Sequence, residues 1–445
     1  MKSRILRFSQ ILLVAIGLSA TSAGQTAMAT LEPVGPATSL TNSFATAVSD
    51  DGQVVYGNAR SPSFTRAFRW QPSTGLTWMR TLEGNRDESV VYATTADGSQ
   101  AVGYLRNSNF ERRPVWWSPQ GPRLLPLIDG ADGNGTAYDI SADGRVILGK
   151  GVRAKDGDGY AGYALLWIDG QAPVKLYPLP LVEDGVAPQL SADGSTAVFG
   201  SGGWIMRWSS AVGVVPLRLS PAYPDSTPAI RSLALSSNGE ILTGTAWEAM
   251  GAAPGRIFRW TGLTDGFPLP VRVADARSFS GLIMNGPGTL MAGSSAPGVT
   301  GQGWLIPAYG LLPFDGVLQA QGADLGPWKS VTNLAAMSPN GRWIVGSGIR
   351  RGSGEVPDRH QAFRAQITLN TDAKPVLRFE VLPTGTIRLR WPVTEVQVTV
   401  ESVPLLNPAV PWVPETGVPA VDGTDIVLDL PGLPEGRLYR LQSVP

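Results

Sequence analysis

The chain has 445 residues, 36 basic and 36 acidic side chains, 43% hydrophobic residues, one histidine and no cysteine. This length and hydrophobic content provide for a large buried core and argue against wholesale disorder, while the balanced charge gives no global pull toward nucleic acid. The missing cysteines exclude disulfides, thiolate metal sites and cysteine nucleophiles, and a single histidine excludes multi-histidine metal centres. Glycine (53) and proline (37) make up about a fifth of the chain, against roughly 12% in an average protein, so turns must be frequent.

At the N-terminus, Lys2, Arg4 and Arg7 precede an apolar stretch at 11–18, and Ala27-Met28-Ala29 supplies the small-x-small pattern of a signal-peptidase site. Residues 1–29 are therefore expected to be a signal peptide, cut before Thr30, with a cut near Ala23 as the alternative. The apolar stretch is well short of the ~20 residues that span a bilayer. The expected destination is extracytoplasmic: secreted, cell surface or periplasm. The mature chain would carry a net charge near −3, with no transmembrane segment, and is expected to be monomeric.

From residue 30 to about 370 the sequence repeats. Ser49-Asp50-Asp51-Gly52, Thr95-Ala96-Asp97-Gly98, Ser141-Ala142-Asp143-Gly144, Ser191-Ala192-Asp193-Gly194, Ser236-Ser237-Asn238-Gly239 and Ser338-Pro339-Asn340-Gly341 each lead through an apolar run to a second glycine. Asn285-Gly286-Pro287-Gly288 is a degenerate copy, and the seven turn glycines are 46, 46, 50, 45, 49 and 53 residues apart. Asp-Gly and Asn-Gly between apolar runs favour tight hairpins, because both turn residues can reach positive φ cheaply. Between the turns lie segments such as Ala67-Phe68-Arg69-Trp70 and Ile257-Phe258-Arg259-Trp260, with the period-2 alternation of strands, each followed by a short apolar strand.

Four strands per period, repeated seven times, predict an all-β fold: a seven-bladed β-propeller closed by pairing of N- and C-terminal strands. The expected closure joins three opening strands, near 31–34, 45–49 and 54–56, to the last Ala-Phe-Arg strand at 362–367. Closure removes two open sheet edges; an open β-solenoid is the competing architecture. The recurrence of Ala-Phe-Arg-Trp, a Gly-Leu strand and Ser-Ala-Asp-Gly-x4-Gly over residues 31–368 resembles the HAF-type repeats of extracellular bacterial proteins. That resemblance implies an extracytoplasmic propeller and brings no catalytic set with it.

A linker is expected at 371–375 (Thr371-Asp372-Ala373-Lys374-Pro375), then a small β-sandwich at 376–445 built on alternating segments such as Thr386-Ile387-Arg388-Leu389-Arg390-Trp391 and Asp425-Ile426-Val427-Leu428. Leu389-Arg390-Trp391-Pro392, Glu401-Ser402, Trp412-Val413-Pro414 and Leu438-Tyr439-Arg440-Leu441 resemble fibronectin-like modules at the C-termini of secreted bacterial proteins, which implies an accessory or adhesive role.

The tryptophans Trp70, Trp117, Trp167, Trp208, Trp260 and Trp304 share one phase of the repeat, as core residues do. Trp247 falls outside that phase and is a ligand candidate. The turn aspartates differ from the Asp-box of sialidase propellers, where a residue intervenes before glycine, and are expected to serve the turn. Asp156 and Asp158 have calcium-loop spacing without a closing acidic residue, and His360 is expected in an exposed loop. No catalytic, cofactor or metal residues are assigned. Antiparallel reversal puts the tight turns at one end of the blades and the long loops at the other. The loops entering the Ala-Phe-Arg-Trp strands are arginine-rich, and guanidinium pairs well with carboxylates and phosphates. Arg112, Arg113, Arg153, Trp247, Arg350 and Arg351 are the candidate contacts of a non-catalytic binding face for an acidic glycan or a cell-envelope protein. A carbohydrate-active hydrolase or lyase using carboxylates or tyrosine is the alternative, and a structural spacer the third reading.

Overall fold

In the computed structural model the described residues are 29–36, 41–82, 85–128, 134–153, 161–179, 186–201, 204–217, 229–247, 256–261, 267–268, 279–295, 302–306, 312–352, 357–368, 377–384, 386–392, 398–404, 411–415, 417, 419–422, 425–431 and 437–443. The signal peptide expected at 1–29, apart from Ala29, the linker expected at 371–375 and the Asp156/Asp158 loop lie outside them. The described residues form nine antiparallel sheets, seven of which belong to the repeats. Six of these seven take their four strands in chain order, across residues 42–78, 85–124, 135–179, 189–217, 229–268 and 279–313. Consecutive sheets pack through their first strands, and the seventh packs back on the first, so the repeats close into a β-propeller.

Closure differs in detail from the sequence expectation. The seventh blade consists of Trp328–Met337, Trp343–Arg350 and Arg359–Gln366, and a single N-terminal strand, Thr30–Pro33, adds to its outer edge with Leu31 opposite Ala365. The other two opening strands, Asn42–Val48 and Val55–Arg60, start the first blade instead. One added strand suffices because the chain enters each blade at the axis and leaves it at the rim, so only the rim position of the last blade is vacant. Arg364 fastens this joint. Its guanidinium lies 4.8 Å from the Trp70 ring and 4.6 Å from the Trp343 ring, and donates to Glu32 Oε2 at 2.9 Å and to the Gly52 carbonyl at 2.8 Å. Arg207 of the fourth blade likewise donates to the Gly239 carbonyl of the fifth, at 3.1 Å, so the arginine of the Ala-Phe-Arg-Trp pattern can serve as an interblade latch.

The tight turns are not the expected two-residue hairpins. Gly52 N–H donates to Ser49 O at 2.9 Å, and only the glycine has positive φ, 72°; the aspartates stay at negative φ. Each aspartate closes the turn through its side chain instead: Asp51 Oδ1 accepts from the Ser49 hydroxyl at 2.6 Å and from Gln53 N–H at 2.9 Å. Thr95/Asp97, Ser141/Asp143 and Ser191/Asp193 repeat the arrangement. These donors hold the Asp51, Asp97 and Asp143 carboxyls below the ordinary carboxylate range. Gly98 combines positive φ with close packing, since a Cβ there would sit 2.5 Å from Val54 of the preceding blade. The second glycine of the motif has another cause. Gly103 faces a bulge in the first strand, between Val91 and Ala93, and a Cβ on it would meet Val90 O at 1.9 Å.

Trp117, Trp167 and Trp260 are buried between blades, and Trp70, Trp208 and Trp304 pack half-buried against the same kind of cluster. His360 lies within a strand rather than a loop. It is half-buried, stacks on Phe44 at 5.7 Å, and its backbone N–H donates to Asn42 Oδ1 at 3.0 Å.

After the propeller come a sheet of four strands (Arg378–Val381, Ile387–Pro392, Asp425–Leu430, Ala420–Asp422) and one of three (Val413–Pro414, Val398–Pro404, Arg437–Ser443). Leu389, Trp391 and Leu428 of the first share one apolar cluster with Val400 and Leu441 of the second. The same cluster continues into the propeller through a helix that the sequence did not announce, α1 (Phe314–Ala320), whose Phe314, Val317 and Leu318 are buried. Their i, i+3, i+4 spacing is one helix face, so this helix of about two turns joins the C-terminal sheets to the sixth and seventh blades.

Candidate functional site

Strand reversal places the second-to-third-strand connections of every blade at the end opposite the tight turns. Arg112 and Arg113 open a third strand there (Arg112–Ser118), facing Arg106 and Leu105, and Arg350 closes a second strand (Trp343–Arg350), facing Arg359. Arg153 ends Val146–Arg153 opposite Ala161, and Trp247 ends Ile241–Trp247 opposite Ala229; the side chains of both are outside the described set. All six candidates thus share one end of the ring but come from four blades, the second, third, fifth and seventh. The second and seventh are separated by the first, so Arg112/Arg113 and Arg350/Arg351 are two distinct groups.

Each group is anchored. The Arg112 guanidinium lies over Tyr104 at 5.1 Å, and its N–H donates to Asn134 Oδ1 at 3.2 Å. Arg106 pairs with Glu88 at 3.0 Å. Arg350 Nη1 donates to Gln361 Oε1 at 3.0 Å, while Arg351 is held by its N–H to Pro327 O at 2.8 Å and leaves its side chain exposed.

From Arg112 a row of aromatic rings runs inward to the axis. Tyr104 meets Tyr92 at 6.3 Å, Tyr92 meets Tyr138 at 5.0 Å, and Lys150 Nζ lies 6.0 Å from the Tyr138 ring while donating to Val186 O at 3.2 Å. Tyr92 and Tyr138 reach the axis because each is the extra residue of a first-strand bulge, between Val91 and Ala93 and between Ala137 and Asp139, which re-aims the side chain.

Both tyrosines line an axial cavity of about 300 Å³ in the turn-bearing half of the bore. Its wall is two-sided. The first four blades contribute Thr46, Asp50, Tyr92, Tyr138, Asp139 and Gln189, whereas the last three contribute mainly Leu235, Ile283, Met284 and Met337. Asp139 accepts from Ile140 N–H at 2.9 Å and Leu190 N–H at 2.7 Å, the latter in the short first strand of the next blade. Burial nevertheless pushes its carboxyl up to about 7, against the opposing pull of those two donors. Asp50, at the mouth, is also raised, first by desolvation and then by the neighbouring Asp51 charge.

These axial residues were missed in the sequence because they depart from the repeat rather than define it. Asp139 occupies the phase of Ala47, Ala93, Ala234 and Ala336, and Asp50 that of Ala96, Ala142 and Ala192. Tyr92 and Tyr138 share a phase, six residues before the turn glycine.

No protein-family model and no curated protein matches the chain. Among solved structures, an oligogalacturonate lyase in complex with manganese is similar at 10% identity and TM-score 0.45, over 76% of this chain and 91% of that one. The Vibrio parahaemolyticus oligogalacturonate lyase gives 10% and 0.47, over 77% and 97%. A chain of the mitotic checkpoint complex gives 16% and 0.43, over 83% and 100%. At such scores these likenesses say nothing of chemistry, and the propeller assignment rests on the sheet order and its closure.

Proposed function

We propose that this chain is an exported, non-catalytic binding protein of the HAF-repeat type, which recognises an anionic glycan or an acidic envelope protein at the loop-bearing end of its propeller. The observation that carries this reading is Arg112 poised over Tyr104 at the outer end of the tyrosine row, with Arg113 beside it and Arg106 opposite. A guanidinium held by a ring face keeps its charge and its donors while losing less rotamer freedom on binding. Further support comes from how the repeat spends its own chemistry: the turn carboxylates close turns and the Ala-Phe-Arg-Trp arginines latch blades, so recurrent polar residues are accounted for by the fold.

The test is retention on an immobilised anionic polysaccharide such as alginate. Arg112→Glu/Arg113→Glu and Arg350→Glu/Arg351→Glu are compared separately with the parent chain at low and moderate salt. Retention that is salt-sensitive and falls at least about tenfold in one pair supports the reading. Retention unchanged in both pairs removes it.

A further inference from the structure

The axial cavity differs from the loop-bearing end in charge. Its described lining includes two acidic residues, Asp50 and Asp139, and two tyrosines, but no lysine, arginine or histidine. Lys150, the nearest base in the tyrosine row, is tied to the Val186 carbonyl and is not part of the wall. A carboxylate offers about four acceptor positions. Asp139 uses two of them on the Ile140 and Leu190 N–H groups, which leaves acceptor capacity on a residue that lines the cavity. The opposite wall, with Leu235, Met284 and Met337, offers contact to alkyl groups and no competing charge. At about 300 Å³ the space is at the small end of ligand-binding cavities, suited to one compact molecule and not to a chain.

We propose that this cavity binds a small organic ammonium ion, with Asp139 and Asp50 supplying the counter-charge, Tyr92 and Tyr138 the ring faces, and the Leu235/Met284/Met337 side receiving the alkyl groups. Carboxylate and aromatic faces together are what recognises an ammonium group: the first compensates its charge, and the second attracts it through the ring quadrupole without requiring a donor. A polyanion, the ligand class assigned to the loop-bearing end, is excluded from this wall by the same two carboxyls. The site is therefore separate from that reading and stands or falls without it.

The experiment is isothermal titration of the full exported chain at about pH 8, above the range in which the buried Asp139 carboxyl keeps its proton, with choline, with ethanolammonium, and with 3,3-dimethylbutan-1-ol, the uncharged isostere of choline. Binding of at least one of the two cations at one per chain is expected, at least about tenfold tighter than the isostere, and weakened at least tenfold by Asp139→Asn. The Arg112→Glu/Arg113→Glu variant should bind as the parent does. Should Asp139→Asn fail to fold, Asp50→Asn and Tyr138→Leu carry the same comparison, each expected to weaken the cation more than the isostere. A bore that holds water only, shown by no saturable binding of either cation, overturns the proposal. So does equal binding of the isostere, or cation binding indifferent to the carboxamide and Tyr138 variants.

Discussion

Pro339 and Asp50 meet at the one gap in a ring of peptide hydrogen bonds around the propeller axis. The second residue of each tight turn donates its N–H to the matching carbonyl of the next blade: Asp50 to Ala96, Ala96 to Ala142, Ala142 to Ala192, Ala192 to Ser237, Ser237 to Gly286 and Gly286 to Pro339, at 2.7–3.2 Å. Pro339 has no N–H to pass on, so the Asp50 carbonyl receives none from it. Two local rules conflict here: proline is favoured at the second position of such a turn, where its fixed φ fits, but that position is also a ring donor. In Pro339→Ala the new amide should exchange with deuterium as slowly as that of Gly286. Fast exchange at residue 339 would mean that the seventh and first blades are set too far apart for the bond.

Arg364 works at the same seam. It is almost fully buried, between two tryptophans, with Glu32 of the N-terminal strand and the Gly52 carbonyl as acceptors. Arg364→Met keeps much of the packing but removes the charge-assisted bonds and the ring contacts, and should cost about 2–3 kcal/mol. Arg364→Lys should recover only part, because an ammonium cannot fill the planar slot between two rings while reaching both acceptors. Urea unfolding gives the magnitude. Limited proteolysis should first release the N-terminal strand in Arg364→Met; an initial cut elsewhere would show that the seam is held by other contacts.

How much of this was legible beforehand depends on whether a feature recurs. Turns, strand count, ring closure and the packing of the repeat tryptophans could be read because seven copies average out local noise. The turn geometry was misread because Asp-Gly suggests a hairpin with two positive-φ residues, whereas the Ser49 hydroxyl offers Asp51 a partner and keeps it at negative φ. Closure by one strand rather than three depends on which strand lies at the axis, something that periodicity does not encode. The axial carboxyls and the helix α1 are single departures from the repeat, and their meaning comes only from the neighbours that folding supplies: Leu190 N–H for Asp139, the C-terminal sheets for Phe314.

Asp139 should leave a signature in the pH dependence of stability. Its folded-state value of about 7 lies above the ordinary 3.8, so between those limits the folded chain holds a proton that the unfolded chain has lost. Stability from this group is therefore full below about pH 4, falls as pH rises, and is exhausted above 7, with a slope of at most about 1.4 kcal/mol per pH unit. Asp139→Asn cannot titrate. The stability of the parent chain relative to this variant should therefore decline from pH 4.5 to pH 7 and then level off, measured by paired urea melts. A difference that is flat across that range would show the carboxyl to be ionised throughout.

The N-terminal cut is a question of packing as well as of recognition by a peptidase. Ala29 is 1% exposed, sits in the cluster shared by the last blades and the C-terminal sheets, and donates its N–H to Gln321 O at 3.2 Å. The Gln321 carboxamide in turn makes a reciprocal pair with Thr368, donating to its carbonyl at 3.0 Å and accepting from its N–H at 2.9 Å. This one residue thus ties the start of the propeller to its exit strand. A cut before Thr30 would delete the buried methyl and its bond, and would leave an α-ammonium beside an apolar cluster, an unfavourable place for a charge. If the chain is exported as proposed, processing should therefore keep Ala29, consistent with a cut near Ala23, and N-terminal sequencing can establish this. A chain starting at Thr30 should be less stable than one starting at Gly24 by about 1–2 kcal/mol. Equal stability, or an exported chain that begins at Thr30, would show that the Ala29–Gln321 contact is dispensable.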